Sequence, residues 1–202
     1  MRTISIAALL CAAAASHASL LVNGSFEDQL GFVPEGNNTM SLGAGSFLPN
    51  AWTVLDSEIA WIRDPNPFGI TASDGIMSID LMGYHDSQPT GRLLQAMPTN
   101  VGWTYGVTYD IGQNTEMIVS AAGQSQTASH FDTGGAFWKS ESFSFVADSQ
   151  ICSLTFKGGA GTDPHYAGLD NINVTVLSTP EPMSMTALAL GGLALVSRRR
   201  SK

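Results

Sequence analysis

The stretch TYGVTYDIG, residues 104–112, decides how the chain is read. Tyr105, Val107, Tyr109 and Ile111 alternate with Thr104, Gly106, Thr108 and Asp110. In an extended chain successive side chains point to opposite faces, so this order makes one apolar face and one polar face. The same period of two recurs outward along the chain. Met77, Ile79 and Leu81 oppose Ser78 and Asp80; Phe143 and Phe145 fall together; Cys152, Leu154 and Phe156 share a face; and Ile172, Val174 and Val176 share another, with Asp170 in register at their head. No long segment repeats apolar residues at helical spacing. Turn-forming clusters separate the runs, at 64–69, 73–75, 85–91 and 158–164, and the Gly-, Asn- and Ser-rich stretch 31–49 reads as a long loop. Half-buried strands without intervening helices predict an all-β fold, an antiparallel β-sandwich or barrel. Neither a repeat nor a second domain is visible.

The ends of the chain differ from its middle. Arg2 precedes an apolar run from Ile4 to Ala15, and Ala18 closes a Ser-His-Ala triplet. That order predicts a secretory signal peptide over residues 1–18, cut after Ala18. A lipoprotein signal built on Cys11 is disfavoured, because bulky Leu10 precedes the thiol. After cleavage Cys152 is the remaining cysteine, so an internal disulfide is excluded, and its place in an alternating run predicts a small buried hydrophobe. About 160 residues lie between the two ends, enough for one core. Residues 19–179 carry sixteen Asp and Glu against Arg63, Arg92, Lys139 and Lys157, a balance of −12. Such a surface repels nucleic acid, whose binding needs basic side chains to release counterions. It suits divalent cations or neutral polymers.

The last residues, from Pro180, read PEPMSMTALALGGLALVSRRRSK. Pro180-Glu181-Pro182, an apolar run holding Gly191 and Gly192, and Arg198-Arg199-Arg200 occur in the order of the PEP-CTERM sorting signal, which this tail resembles. The apolar run Met183–Val196 has fourteen residues. As a helix it reaches roughly 21 Å, short of a hydrocarbon core of about 30 Å. The resemblance implies a transient inner-membrane anchor, with Arg198–Arg200 on the cytoplasmic side. It also implies processing by an exosortase and a destination at the surface or in the extracellular matrix of a Gram-negative bacterium. The segment between the ends, residues 19–178, resembles the galactose-binding-like jelly rolls of the DUF642 and choice-of-anchor C group. LLVNGSFED (20–28), AWTV (51–54), DGIMSIDLMG (74–83), GRLLQAMPTNVGWTYGVTYDIGQN (91–114) and AGLDNINVTV (167–176) carry that resemblance, with 115–140 matching loosely. It implies a jelly-roll domain flanked by short helical targeting segments, and a carbohydrate ligand.

Two groups of residues are candidates for chemistry. Glu27 and Asp170 stand where calcium-bearing relatives of the jelly-roll class keep acidic ligands, which makes them candidate ligands of a structural Ca²⁺. The alternative is that Asp170 accepts backbone N–H groups and a hydrogen bond from its neighbour Asn171. Among the aromatics, Trp52 and Trp61 sit in alternating apolar runs and are expected in the core. Tyr84, His85, Trp103 and Trp138 lie in or beside loops and are the candidate ligand-binding residues, with packing beneath their own loops as the alternative. DPNPFGITASDG (64–75) begins like a calcium loop with Asp64, Asn66 and Gly69, then places Phe68 and Gly75 where ligands belong. It reads as a stiff surface loop. His85, His130 and His165 lie apart in polar loops without metal-ligand spacing, and no serine sits in a nucleophile elbow. The expectation is therefore a non-enzymatic, exported protein that binds surface or extracellular polysaccharide. A matrix protein without a sugar pocket is the main alternative, and a polysaccharide-active enzyme with facing carboxylates the weaker one.

Overall fold

A computed structural model of the protein describes residues 19–48, 52–86, 89–132, 135–163 and 165–180. Ala18, Glu181, Pro182, Arg198, Arg199 and Arg200 lie outside these residues, as do the expected targeting helices. Twelve strands are described: β1 (Thr39–Leu42), β2 (Phe47–Leu48), β3 (Trp52–Leu55), β4 (Ile59–Arg63), β5 (Met77–Asp80), β6 (Arg92–Pro98), β7 (Thr104–Gly112), β8 (Thr115–Ala121), β9 (Gln124–His130), β10 (Trp138–Val146), β11 (Ile151–Gly158) and β12 (Gly168–Ser178). They form two six-stranded sheets, β1-β4-β5-β12-β7-β10 and β2-β3-β6-β11-β8-β9, with every pair antiparallel. The result is a jelly-roll sandwich, and no helix occurs among the described residues.

The alternating patterns fill the space between the sheets as the sequence predicts. Tyr105, Val107, Tyr109 and Ile111 of β7 are buried, as are Met77 and Ile79 of β5, Phe143 and Phe145 of β10, and Cys152, Leu154 and Phe156 of β11. Trp52 and Trp61 are in the core, where Trp52 meets Phe26 at 5.7 Å and Phe156 at 6.3 Å between ring centroids. Burying each such ring removes a large apolar area from water and contributes about 2–3 kcal/mol.

Three features depart from the expectation. First, the stretch 31–49 holds β1 and β2 rather than a bare loop. Thr39–Leu42 pairs with Ile62–Ile59 and forms the edge of the first sheet. Second, the loosely matching 115–140 region supplies β8, β9 and the start of β10. Ala122 and Gly123, both with positive φ, make the two-residue turn that joins β8 to β9. Third, Asp170 does not lie on the core-facing row. Leu169 pairs with Ile111 and Val174 with Val107, so both are inward, although they are five residues apart. A bulge between Asp170 and Asn173, with Asn171 at φ 50°, absorbs the extra residue and inverts the phase. Asp170 consequently pairs with Asp110 on the outer face of the first sheet.

The amino-terminal segment reaches β12 without forming a strand. Leu20 donates its N–H to Val174 (3.0 Å), and Ile172 donates to Gly24 (2.9 Å). A side chain at Gly24 would collide with the Ile172 carbonyl, so this approach requires glycine. Phe26 then enters the core and leaves Glu27 at the sheet's outer face.

Candidate functional site

Strand alternation that sends Met77 and Ile79 inward sends Ser78 and Asp80 outward, and the register places Asp80 opposite Ala60 of β4 and Gly168 of β12. Two loops fold over this outer face. Loop 64–76 brings Phe68 and Ile70, and the turn after β5 brings Tyr84 and Asp86. Between them lies a groove of about 330 Å³ with Asp80, Tyr84, Phe68, Asp86 and His165 among its walls. A second hollow of about 320 Å³ shares Phe68, Ile70 and His165 and continues toward Gln113, Phe137 and Tyr166.

Loop 64–76 is held by its own polar residues. Asp64 accepts the Ala72 N–H at 3.0 Å, and Asn66 accepts the Ile70 N–H at 3.2 Å. The residues that imitate a calcium loop therefore cap their own backbone and stiffen the loop as a wall of the groove. Phe68 projects from it, 50% exposed, and meets Tyr84 edge to face at 6.5 Å. The Tyr84 hydroxyl accepts a hydrogen bond from Asn37 at 3.1 Å, which fixes the ring.

Two imidazole–carboxylate pairs flank these rings. His165 Nδ1 lies 2.8 Å from Asp86 Oδ2, and His85 Nδ1 lies 3.0 Å from Glu58 Oε2. Each hydrogen bond, reinforced by the carboxylate's charge, raises the imidazole above its ordinary value. Asp80 is pushed up to about 7, first by burial, with the negative fields of Asp86 and Asp163 adding to it. Amide donors from Ala167 (2.8 Å) and Met82 (2.9 Å), both to Oδ1, oppose that rise.

The candidate calcium ligands meet further along the same face. Asp170 Oδ2 accepts the N–H groups of Ser73 (2.7 Å) and Asp74 (3.0 Å), and Oδ1 accepts that of Asn171 (2.7 Å). Glu27 Oε1 accepts those of Ile76 (2.9 Å) and Met77 (2.7 Å). Gly75 lies between, at φ 68°, and any β-carbon there would strike the Glu27 carboxylate. Burial and then the charge of Glu27 push Asp170 up to about 7 against these amides. Asp110 completes the cluster, accepting from the hydroxyls of Ser73 and Ser140 and from Asn171 Nδ2 at 3.0 Å. In charge the Glu27–Asp170 pair fits a divalent cation. In donor count it does not supply a shell: no group of three or more His, Cys, Asp or Glu able to hold a metal occurs among the described residues. Main-chain carbonyls and water would have to complete the six to eight oxygens that Ca²⁺ takes.

Of the four candidate ligand-binding residues, the structure brings Tyr84, His85 and Trp138 to one end of the first sheet. Trp138 pairs with Gly112 and donates its indole N–H to the Thr71 carbonyl at 2.7 Å, bracing loop 64–76. Trp103 does not join them. It precedes Thr104 at the other end of β7, roughly 27 Å away along a nine-residue strand. There it is half-buried against the core, and its carbonyl accepts the Ala147 N–H at 2.9 Å. The sequence reading passed over Asp80, Phe68 and the Asp86–His165 pair. Asp80 carried a usable signal, an acid on the outward phase of a strand ending at a Gly-containing turn. The pairing of Asp86 with His165 spans 79 residues and had none.

The structure thus defines a jelly-roll sandwich with an aromatic, acid-lined groove on one outer face. Residues 19–175 match the family described as "Protein of unknown function (DUF642)", and the chain belongs to that family. No curated protein matches it. Several solved structures share its architecture distantly. A module titled TmCBM61, in complex with β-1,4-galactotriose, is 15% identical, with 79% of this chain and 99% of that chain covered and a TM-score of 0.44. A family 35 carbohydrate-binding module from Clostridium thermocellum is 11% identical, covering 70% and 98%, also at 0.44. The sugar-binding EclA C-terminal domain is 12% identical at 0.34, covering 41% of this chain and 64% of that one. These likenesses concern the arrangement of strands.

Proposed function

We propose that this is an exported, non-catalytic carbohydrate-binding protein of a bacterial cell surface or extracellular matrix. The observation that carries the reading is the groove lined by the contacting Phe68 and Tyr84 rings together with buried Asp80, Asp86 and His165. Aromatic rings offer flat apolar surface to the C–H faces of a sugar, while carboxylate and imidazole groups take its hydroxyls. A matrix protein without a pocket would not need loop 64–76 pinned by Trp138 and Asp64 above an open hollow. Binding of the purified protein to a glycan array, with and without EDTA, tests the reading. Retention of a glycan by the wild type and a clearly weaker signal in Tyr84→Ala is the expected result. An array without signal in both conditions overturns it.

One observation favours a second reading, hydrolysis of a polysaccharide. Asp80 and Asp86 line the same groove, and Asp80 is held near 7, as a general acid requires. Release of reducing sugar from whatever glycan the array identifies, abolished in Asp80→Asn, would establish it.

The location rests on the sequence. The signal pattern ending at Ala18, the Pro180-Glu181-Pro182 mark and Arg198–Arg200 support export, transient inner-membrane anchoring and processing by an exosortase. Mass spectrometry of the protein from its host should then give a chain that begins at Ser19 and lacks the arginines. Ca²⁺ at Glu27 and Asp170 belongs to the same proposal. Added calcium should raise the Tm of the wild type and leave Asp170→Ala unchanged; equal shifts would discard the site.

A further inference from the structure

Asp80 is 5% exposed, and both donors that reach it, Met82 and Ala167, bond to Oδ1. Among the described residues no donor meets Oδ2, and the buried Asp80 lines the groove. A buried carboxylate with half of its acceptor capacity unmet and no counter-charge is costly, and a ligand that supplies both is favoured. The domain's own cations are committed elsewhere. Arg63 lies 5.1 Å above the Phe32 ring and bonds Asn38; Arg92 and Lys157 pair with Asp56; Lys139 pairs with Glu141. At the mouth His165 is held by Asp86. Phe68 and Tyr84, in edge-to-face contact, line the same groove, and an exposed ring face attracts an ammonium group more strongly than a neutral hydroxyl.

We propose that the groove selects glycans bearing a free primary amine, the de-N-acetylated amino-sugar unit, with the ammonium bonded to Asp80 Oδ2 beside the Phe68–Tyr84 ring pair. This rests on the carbohydrate reading above and adds the substrate class. A neutral hydroxyl would satisfy one lone pair and leave the charge. An ammonium satisfies both. N-acetylation removes the charge and adds bulk.

The test is calorimetric titration of the purified protein, in neutral buffer where Asp80 is substantially ionised, with glucosamine oligosaccharides and with their fully N-acetylated counterparts of equal length. The amine form should bind about tenfold tighter or more, the difference between a charge-assisted and a neutral hydrogen bond. Asp80→Asn should erase that preference and keep the weaker, Tyr84-dependent binding of the N-acetylated form. Asp148→Asn, an exposed acid at the opposite end, should leave the preference intact. If Asp148→Asn lowers it as much as Asp80→Asn, the attraction is that of a general acidic surface and the proposal falls. If the wild type binds both forms equally and Tyr84→Ala abolishes both, the amine inference falls and the carbohydrate reading stands. If neither form binds and the glycan array is silent, both fall.

Discussion

Asp170 and Asp80 lie on the same outer face of one sheet, are both buried, and are both pushed up to about 7, yet they are used differently. Asp170 gives both oxygens to three backbone N–H groups and ties Ser73 and Asp74 of loop 64–76 to β12. Asp80 gives one oxygen to the backbone, receives no donor at the other from the described residues, and lines the groove. Burial sets the protonation of each, and hydrogen-bond occupancy decides its role. A carboxylate bonded by the backbone at both oxygens ties the chain together as a strut, with or without a cation. The half-occupied one, beside aromatic rings, is where we propose a ligand binds.

The contrast can be broken most severely at the strut. Asp170→Ala leaves the N–H groups of Ser73, Asp74 and Asn171 without their acceptor, and equilibrium denaturation should show a loss of about 3 kcal/mol. Asp80→Asn keeps an acceptor for its two amides and should cost roughly 1 kcal/mol or less. Equal losses would mean that both are struts.

Acidity separates the pair from an ordinary surface. A carboxyl whose folded pKa exceeds its unfolded value binds its proton more tightly in the folded state. Its stabilisation is complete below the unfolded value of 3.8 and is lost as pH rises through about 7. His85 and His165, raised by Glu58 and Asp86, act in the same sense toward the upper end of that window. Asp56 and Glu58 are lowered, mainly by hydrogen bonds from Arg92 and His85 overcoming burial, and act oppositely only at the acid end. Thermal unfolding should therefore show stability falling between about pH 4 and pH 7, by on the order of 1 kcal/mol per pH unit for each buried carboxylate. The slope should flatten in Asp80→Asn.

Gly75→Ala tests the seat of Glu27. A residue with a β-carbon at φ 68°, facing the carboxylate, should lower stability by about 2 kcal/mol in chemical denaturation and leave glycan binding intact. The ligand side breaks more gently. Tyr84→Ala should weaken glycan binding roughly tenfold while shifting the Tm little, since the ring packs on Phe68 at the surface. Trp103→Ala should lower the Tm and leave glycan affinity unchanged. A loss of affinity there would place binding at the other end of the sandwich.

The strands were legible because a period of two leaves its mark within a few residues. TYGVTYDIG is β7 from end to end, and Met77–Ile79, Phe143–Phe145 and Leu154–Phe156 face the core as their alternation requires. β1 escaped notice because four residues at a sheet edge owe their conformation to pairing with β4. β9 escaped because QSQTASH is mostly solvent-facing and carries little apolar pattern. At the site, Tyr84, His85 and Trp138 are loop residues near strand ends that come to one end of the first sheet, and of these Tyr84 lines the groove. Trp103 met the same description and does not, because local sequence does not say which end of the sandwich a loop occupies.

The sequence by itself determined that the chain folds as an antiparallel sandwich, that Cys152 and two of its tryptophans enter the core, and that its acids far outnumber its bases. Those are properties of composition and of short-range periodicity. Only the tertiary structure decided which carboxylates were struts and which lined a groove. One bulge at Asn171 moved Asp170 to the opposite face of the sheet. The groove itself joins Thr39, Phe68, Asp80, Asp86 and His165, brought together by strand register and loop packing across most of the chain. Such contacts between distant residues leave no periodic trace, so the site became visible only when the sheets were assembled.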